Sequence, residues 1–242
     1  MKIYLAGLHA DIKHLSIYKP LYVLESFYYI KNNLISYIKS KDCKEFLLDS
    51  GAFTFMNNPK NNINWDDYLK KYAEFINENK IDLFFELDID KIVGIKEVER
   101  LRNKLETLTN KRCIPVWHKS RGLEYWKDMI KKYNYVAIGG FAIGDIKKNQ
   151  YKNIPYFLNE AKENNCQVHG LGFTSQKDLK RYKFYSVDST TWMRARFGDL
   201  AYFKDYEIKI YNNKNKRVKG KESTIQNLKA WIKFQKYAEN NL

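Results

Sequence analysis

Cysteine, proline and long apolar runs are all scarce in this sequence, and each scarcity excludes something. The three cysteines, Cys43, Cys113 and Cys166, lie far apart with no Cys-x-x-Cys pair. They support neither a disulfide framework nor a cysteine-ligated zinc site, and they fit a reducing cytoplasm. With only four prolines and no evident linker, nothing marks a second domain, so residues 1–242 are expected to form one unit. No apolar stretch approaches the roughly 20 residues of a membrane span. The opening Met1-Lys2-Ile3-Tyr4-Leu5-Ala6-Gly7 is interrupted too soon for a signal peptide. Acidic residues are the deficient charge: 28 Asp and Glu against 43 Lys and Arg, a formal net charge of +15. Such a surplus concentrates polyanions, which makes nucleic acid an expected partner; a lysine-rich solvated surface is the plainer alternative.

What is present is a full complement of core residues. Hydrophobic side chains make up 44% of the chain, enough to bury a core and too many for a disordered segment. Short apolar runs at 3–6, 46–49, 83–87, 113–117, 135–139, 167–171 and 184–187 lack clean two-residue alternation. Strands buried on both faces read this way. Between them lie helical patterns: Asn64 caps a segment with Tyr68, Leu69, Tyr72, Phe75 and Ile76 on one stripe, and 95–108 and 123–133 repeat the style. Ser175 with Asp178 opens another as a capping-box variant, and a last helix is expected over about 222–240. The alternation predicts an α/β fold, a (β/α)8 TIM-like barrel, with the eighth strand supplied by 200–203 or 207–211. A doubly wound open sheet is the competing fold.

Four of these runs end in a small or acidic residue: Asp49-Ser50-Gly51-Ala52-Phe53, Phe84-Phe85-Glu86-Leu87-Asp88-Ile89-Asp90, Ile138-Gly139-Gly140, and Val187-Asp188-Ser189-Thr190. In a parallel barrel the C-terminal strand ends converge on one site. Asp188 can serve there as a nucleophile toward an anomeric carbon, and Asp49 can shuttle the proton; both acids could equally cap the helices that follow. The Gly139-Gly140 pair removes two Cβ atoms where a strand meets a ligand or a tight turn. His169-Gly170-Leu171-Gly172 places a ring between small residues at the next strand end.

The order Asp-Ser-Gly-small-aromatic, Phe-x-x-x-Asp, Gly-Gly-x-Ala-x-Gly-acid, Gly-x-Gly, strand-end Asp resembles the tRNA-guanine transglycosylases over roughly residues 46 to 192. That family is a modified barrel that exchanges a guanine in a polynucleotide for a 7-deazaguanine. The resemblance implies Asp188 as the nucleophile at C1′ and Asp49 as the general acid/base. Asp88 would read the donor edge of the base, with Asp90 as the alternative. Phe53 and His169 would sandwich the base, and Ser50, Gly139, Gly140 and Gly170 would line its pocket. No metal or redox cofactor is implied.

Two departures are visible. No cysteine follows Cys166, so the family's zinc site has no ligands, and Val116-Trp117-His118-Lys119 stands where the family has a base-contacting Gln, leaving His118 to supply a hydrogen bond. These features resemble the small, zinc-less, phage-like members that insert 7-deazaguanines such as preQ0 into DNA. They favour DNA over tRNA as the partner, in a cytoplasm that would be the host's if the chain is phage-encoded. Arg194, Arg196, Lys119 and Arg121, just past strand ends, are then the expected phosphate contacts. A phosphate-gripping barrel enzyme acting on a small metabolite, or a non-catalytic nucleic-acid binder, are the rival readings.

Overall fold

A computed structural model describes residues 1–10, 15–51, 54, 63–173, 175–212 and 220–242, with the backbone alone at Gln176 and Arg196. Eight parallel strands form one sheet: β1 (Lys2–Ala6), β2 (Tyr22–Ser26), β3 (Glu45–Asp49), β4 (Leu83–Phe84), β5 (Val116–Trp117), β6 (Tyr135–Ile138), β7 (Gln167–Gly170) and β8 (Ser186–Ser189). β1 pairs with both β2 and β8, and pairing runs outward from it to β4 on one side and β5 on the other. The two edges meet through a parallel bridge between Phe85 and Ile114. There Ile114 N donates to Phe84 O at 2.8 Å and Glu86 N to Ile114 O at 3.1 Å. The sheet is closed, and the fold is a (β/α)8 barrel, as the alternation of patterns predicts.

The helices are α1 (Leu15–Tyr18), α2 (Asn32–Ile38), α3 (Trp65–Asn79), α4 (Asp90–Val93), α5 (Ile95–Thr109), α6 (Gly122–Lys132), α7 (Ile154–Glu163), α8 (Gln176–Leu179) and α9 (Gly220–Asn241). Helix α3 shows how sequence sets them. The Asn64 side chain accepts from the backbone N–H groups of Asp66 and Asp67, two acids occupy the first turn, and Lys80 ends the helix in the left-handed region. Its inner stripe buries Leu69, Tyr72, Ala73 and Ile76, and the Tyr72 hydroxyl lies 3.2 Å from Leu48 O and 3.1 Å from Phe85 O, tying α3 to β3 and the end of β4.

The eighth strand is not where the sequence reading put it. Residues 200–203 and 207–211 fall in an antiparallel hairpin, β9 (Asp199–Lys204) with β10 (Glu207–Asn212), outside the barrel. By the end of β8 both neighbours of β1 are taken, so no edge remains for another strand. The missing member is β2, whose residues 22–25 are buried. Helix α9 closes the far end: the Gln235 amide donates to Ile3 O at 2.7 Å and Tyr22 O at 2.8 Å, and accepts from Leu21 N at 2.6 Å. Inside the barrel lie Tyr4, Leu24, Leu47, Phe85, Val116 and Tyr135, and the larger apolar clusters fill the layer under the helices.

Closure between β4 and β5 has little ladder to rely on, since each strand is two residues long. The Glu86 carboxylate, 0% exposed, takes over: Oε1 accepts from Val116 N at 2.8 Å and from Arg121 Nη1 at 2.8 Å, while Arg102 Nη1 stands 3.5 Å from Oε2. Removing one partner of such a set strands the buried charges of the other. Glu86→Ala is expected to cost about 3–5 kcal/mol, read as a fall in the urea midpoint; a loss within about 0.5 kcal/mol, the scale of a surface substitution, would show that closure does not depend on this carboxylate.

Candidate active site

Four carboxylates reach one cavity of about 300 Å³ at the C-terminal ends of the strands: Glu25 from β2, Asp49 from β3, Asp88 just beyond β4, and Asp188 from β8. His118, Gly140, Ala142, Leu171 and Gly172 complete the wall on the far side, and His9, Ser26, Tyr29, Thr54 and Met193 the near one. A larger, apolar cavity of about 590 Å³ lies outside, between α6 and α7, lined by Trp117, Leu123, Phe157 and others with no acid among them.

Asp188 is fixed in place by contacts from two sides. Oδ1 accepts from Gly172 N at 2.5 Å and lies 3.2 Å from His169 Nε2. On its other side the ring meets Ser186 Oγ, 2.6 Å from Nδ1, and Ser186 Oγ lies 2.6 Å from the Tyr135 hydroxyl. This file of side chains fixes the imidazole beneath the carboxylate. The expectation that His169 stacks on a ligand is therefore corrected: it is fully buried, edge-on to Tyr4 and tilted against Phe85, and it positions Asp188 from below.

Asp49 is the opposite case. Burial pushes its carboxyl up to about 7, and the charges of Asp88, Asp188 and Glu25 add to the effect against a hydrogen bond from Gly51 N, at 3.0 Å, that opposes it. One acid in the cavity is thus held by two polar neighbours, and another keeps its proton near neutrality.

The third group is a compensated cluster. Asp88 Oδ1 meets His118 Nε2 at 2.6 Å. Burial alone would lower the His118 pKa, but that hydrogen bond and the charges of Asp88 and Asp90 raise it. Asp88, not Asp90, faces the cavity. Asp90 turns to Arg121 Nε at 3.3 Å; burial opposes its ionisation, and Arg121 outweighs that and lowers its pKa. Asp88, Asp90 and His118 lie close enough to share a cation. Arg121 already stands there, 3.9 Å from Asp88 and 3.3 Å from Asp90, and neutralises them.

Several expected contacts are therefore reassigned. Arg121 is no phosphate contact: its side chain is 1% exposed and committed to Glu86 and Asp90. Gly139 serves His118 rather than a ligand, because a Cβ there would come 2.6 Å from the imidazole. Gly140, at φ +95°, does line the cavity. Gly170 makes room for Phe173 and Phe184, and Ser50 is buried behind the rim with its carbonyl accepting from Tyr68 at 2.6 Å. Lys119 is exposed beside the outer apolar cavity. Arg194, in the turn after β8, is 58% exposed and donates to Asp199 at 2.6 Å. Phe53 and the Arg196 side chain lie outside the described residues. Glu25, His9 and Tyr29 are absent from the sequence reading, although Tyr22-Val23-Leu24-Glu25 carries the same signal as the other runs, an apolar stretch ending in an acid.

Fold and cavity together define a (β/α)8 barrel with an acid-lined site where barrel enzymes hold theirs. No protein-family model matches the sequence, and no curated protein matches it. Among solved structures the chain is similar to a protein named as a fructose-1,6-biphosphate aldolase from Coccidioides immitis, at a TM-score of 0.49 and 11% identity, over 99% of this chain and 87% of that one. It is also similar to the carboxyl transferase domain of Rhizobium etli pyruvate carboxylase, at 0.44 and 14%, over 78% of this chain and 40% of that one. Neither likeness bears on the chemistry.

The Asp49 shift has a consequence for stability. The folded state keeps a proton that the unfolded chain releases near its ordinary value of 3.8, so stability falls as pH rises from about 4 to 7. Asp49→Asn removes that loss. Relative to the unsubstituted protein it is expected to gain on the order of 2–3 kcal/mol between pH 5 and pH 8, measured as thermal midpoints at both pH values. An equal difference at the two pH values would mean that Asp49 titrates in the usual carboxylate range.

Proposed function

We propose that this protein is a base-exchange transglycosylase that replaces guanine in DNA with a free 7-deazaguanine of the preQ0 type. The observation that carries the reading is the division of labour between Asp188 and Asp49 in one cavity: a carboxylate fixed by Gly172 N–H and His169, beside a carboxyl pushed up to about 7. Breaking an N-glycosidic bond needs this pair, one group to attack carbon and one to protonate the leaving base. An Asp188 oxygen bonds to C1′ as the C1′–N9 bond breaks, and guanine departs with the electron pair and the Asp49 proton. The incoming base then returns its N9 proton to Asp49, bonds to C1′ and releases Asp188. Two bonds form and two break, the charge is restored, and no external oxidant or reductant is needed.

The remaining wall suits a planar, hydrogen-bonding ligand. Asp88 can accept from the amino and imino edge of a guanine-like base, with His118 beside it and Gly140 backbone at the opposite edge. The net charge of +15 favours a polyanionic carrier, and Arg194 lies just beyond the catalytic strand. The five-motif resemblance to the transglycosylases supports the same substrate; tRNA is its alternative carrier.

A second reading, a barrel enzyme acting on a small molecule, is supported by the cavity itself, whose 300 Å³ holds one base and sugar. A phosphate grip at Gly172 is not available to it in this geometry, because that N–H serves Asp188.

Guanine-labelled duplex DNA, tRNA and free deoxyguanosine, each chased with 7-cyano-7-deazaguanine, separate these carriers. Label release from DNA is expected; release from tRNA alone, or from the nucleoside alone, would transfer the assignment to that substrate, and release from none would overturn base exchange. Asp188→Asn is expected to abolish release and covalent capture while retaining substrate binding. Asp49→Asn is expected to slow exchange about 10²–10⁴-fold and to remove the fall in rate that the unsubstituted protein shows as pH rises through about 7. Wild-type exchange by Asp188→Asn would show that the nucleophile lies elsewhere.

A further inference from the structure

A cavity sized for one base and sugar leaves the rest of a DNA strand lying across its rim, so the rim should offer surfaces for the neighbouring bases. One such surface is built there. The His9 imidazole, from the turn after β1, is stacked on the Tyr29 ring, from the turn after β2, with centroids 4.9 Å apart and planes 17° from parallel. Tyr28 meets Tyr29 edge-on at 4.9 Å. His9 and Tyr29 both line the acid-ringed cavity, yet Tyr29 remains 42% exposed.

The pair is held rather than merely left at the surface. Glu25, 2% exposed, accepts from His9 N at 2.9 Å, meets His9 Nδ1 at 3.0 Å and accepts from Ser26 N at 3.0 Å. A buried carboxylate with three contacts at one place is a costly way to orient a ring at the rim of the cavity. His9 is also the wall between this cavity and an open hollow of about 730 Å³ that reaches Lys31.

We infer that the His9–Tyr29 stack is a docking platform for the nucleobase adjacent to the one drawn into the cavity, with Glu25 as its positioning residue and Lys31 placed for the phosphate beyond. This rests on the reading of the protein as a DNA base-exchange enzyme. Base–aromatic stacking contributes about 1–3 kcal/mol per base and is indifferent to base identity, so the platform would hold a strand without imposing a sequence. It would also make binding depend on a flanking nucleotide that takes no part in the chemistry.

The test uses single-stranded and duplex oligodeoxynucleotides with one guanine and 2-aminopurine on its 5′ or 3′ side, bound to full-length protein carrying Asp188→Asn. Stacking is expected to quench the 2-aminopurine on one side of the guanine. Adding Tyr29→Ala is expected to abolish that quench and raise Kd about tenfold. Tyr29→Phe, which keeps the ring, is expected to restore both, and Glu25→Gln to weaken the quench in part. An unchanged quench and Kd in Tyr29→Ala would overturn the platform and leave base exchange standing. A Tyr29-dependent quench with no exchange by the unsubstituted protein would keep the platform and overturn the exchange reading. Absence of any binding would overturn both.

Discussion

The barrel is completed by one buried carboxylate. Between β4 and β5 the backbone offers a single bridge, and Glu86 supplies from its side chain the acceptor that a longer strand would have offered from its main chain to Val116 N. The same carboxylate fixes Arg121, and Arg121 in turn neutralises Asp90 and stands behind Asp88. A hydrogen bond that closes the sheet therefore also sets the charge balance under one wall of the cavity. Three acids, two arginines and a histidine of raised pKa come close to cancelling, which is how so many charges are tolerated where water is scarce.

Against that balanced wall the aspartates Asp188 and Asp49 differ in their surroundings. Asp188 receives a backbone N–H and an imidazole. Asp49 receives one backbone N–H and faces Asp88, Asp188 and Glu25. Identical side chains at corresponding strand ends thus meet different surroundings, and at Asp49 those surroundings favour keeping the proton. The contrast comes from neighbours rather than from residue type.

Much of this was legible in the sequence, and the parts that were not share a cause. Buried strands announce themselves as short apolar runs, so seven of eight and the barrel alternation could be read directly. Asp49, Asp88 and Gly140 are legible as site residues because an acid or glycine ending such a run has few other places to be, whereas His118 is legible only through the resemblance. β2 is harder to read because Tyr22-Val23-Leu24-Glu25 is a short run, while the longer apolar pattern at 200–211 belongs to a hairpin of its own. Arg121 and His169 were misread because position along the chain says that a residue follows or ends a strand, not whether its side chain turns outward. Arg121 turns inward because three acids converge on it, and those acids come from the loop after a different strand. Helix α3, by contrast, needed only local information, a cap, two acids and a stripe, and was read correctly.

The hydroxyl groups below Asp188 bear on what the barrel interior is for. Tyr135 lies within hydrogen-bonding reach of Tyr4, whose own hydroxyl bonds Glu45, and Glu45 with Lys2 at 2.7 Å sits near the opposite mouth. Glu45 with Tyr4 at one end, and Tyr135, Ser186, His169 and Asp188 toward the other, line the barrel interior with polar groups. Barrel cores are ordinarily insulating plugs of branched aliphatics. This one instead carries polar side chains from its closed end toward the carboxylate at its open end.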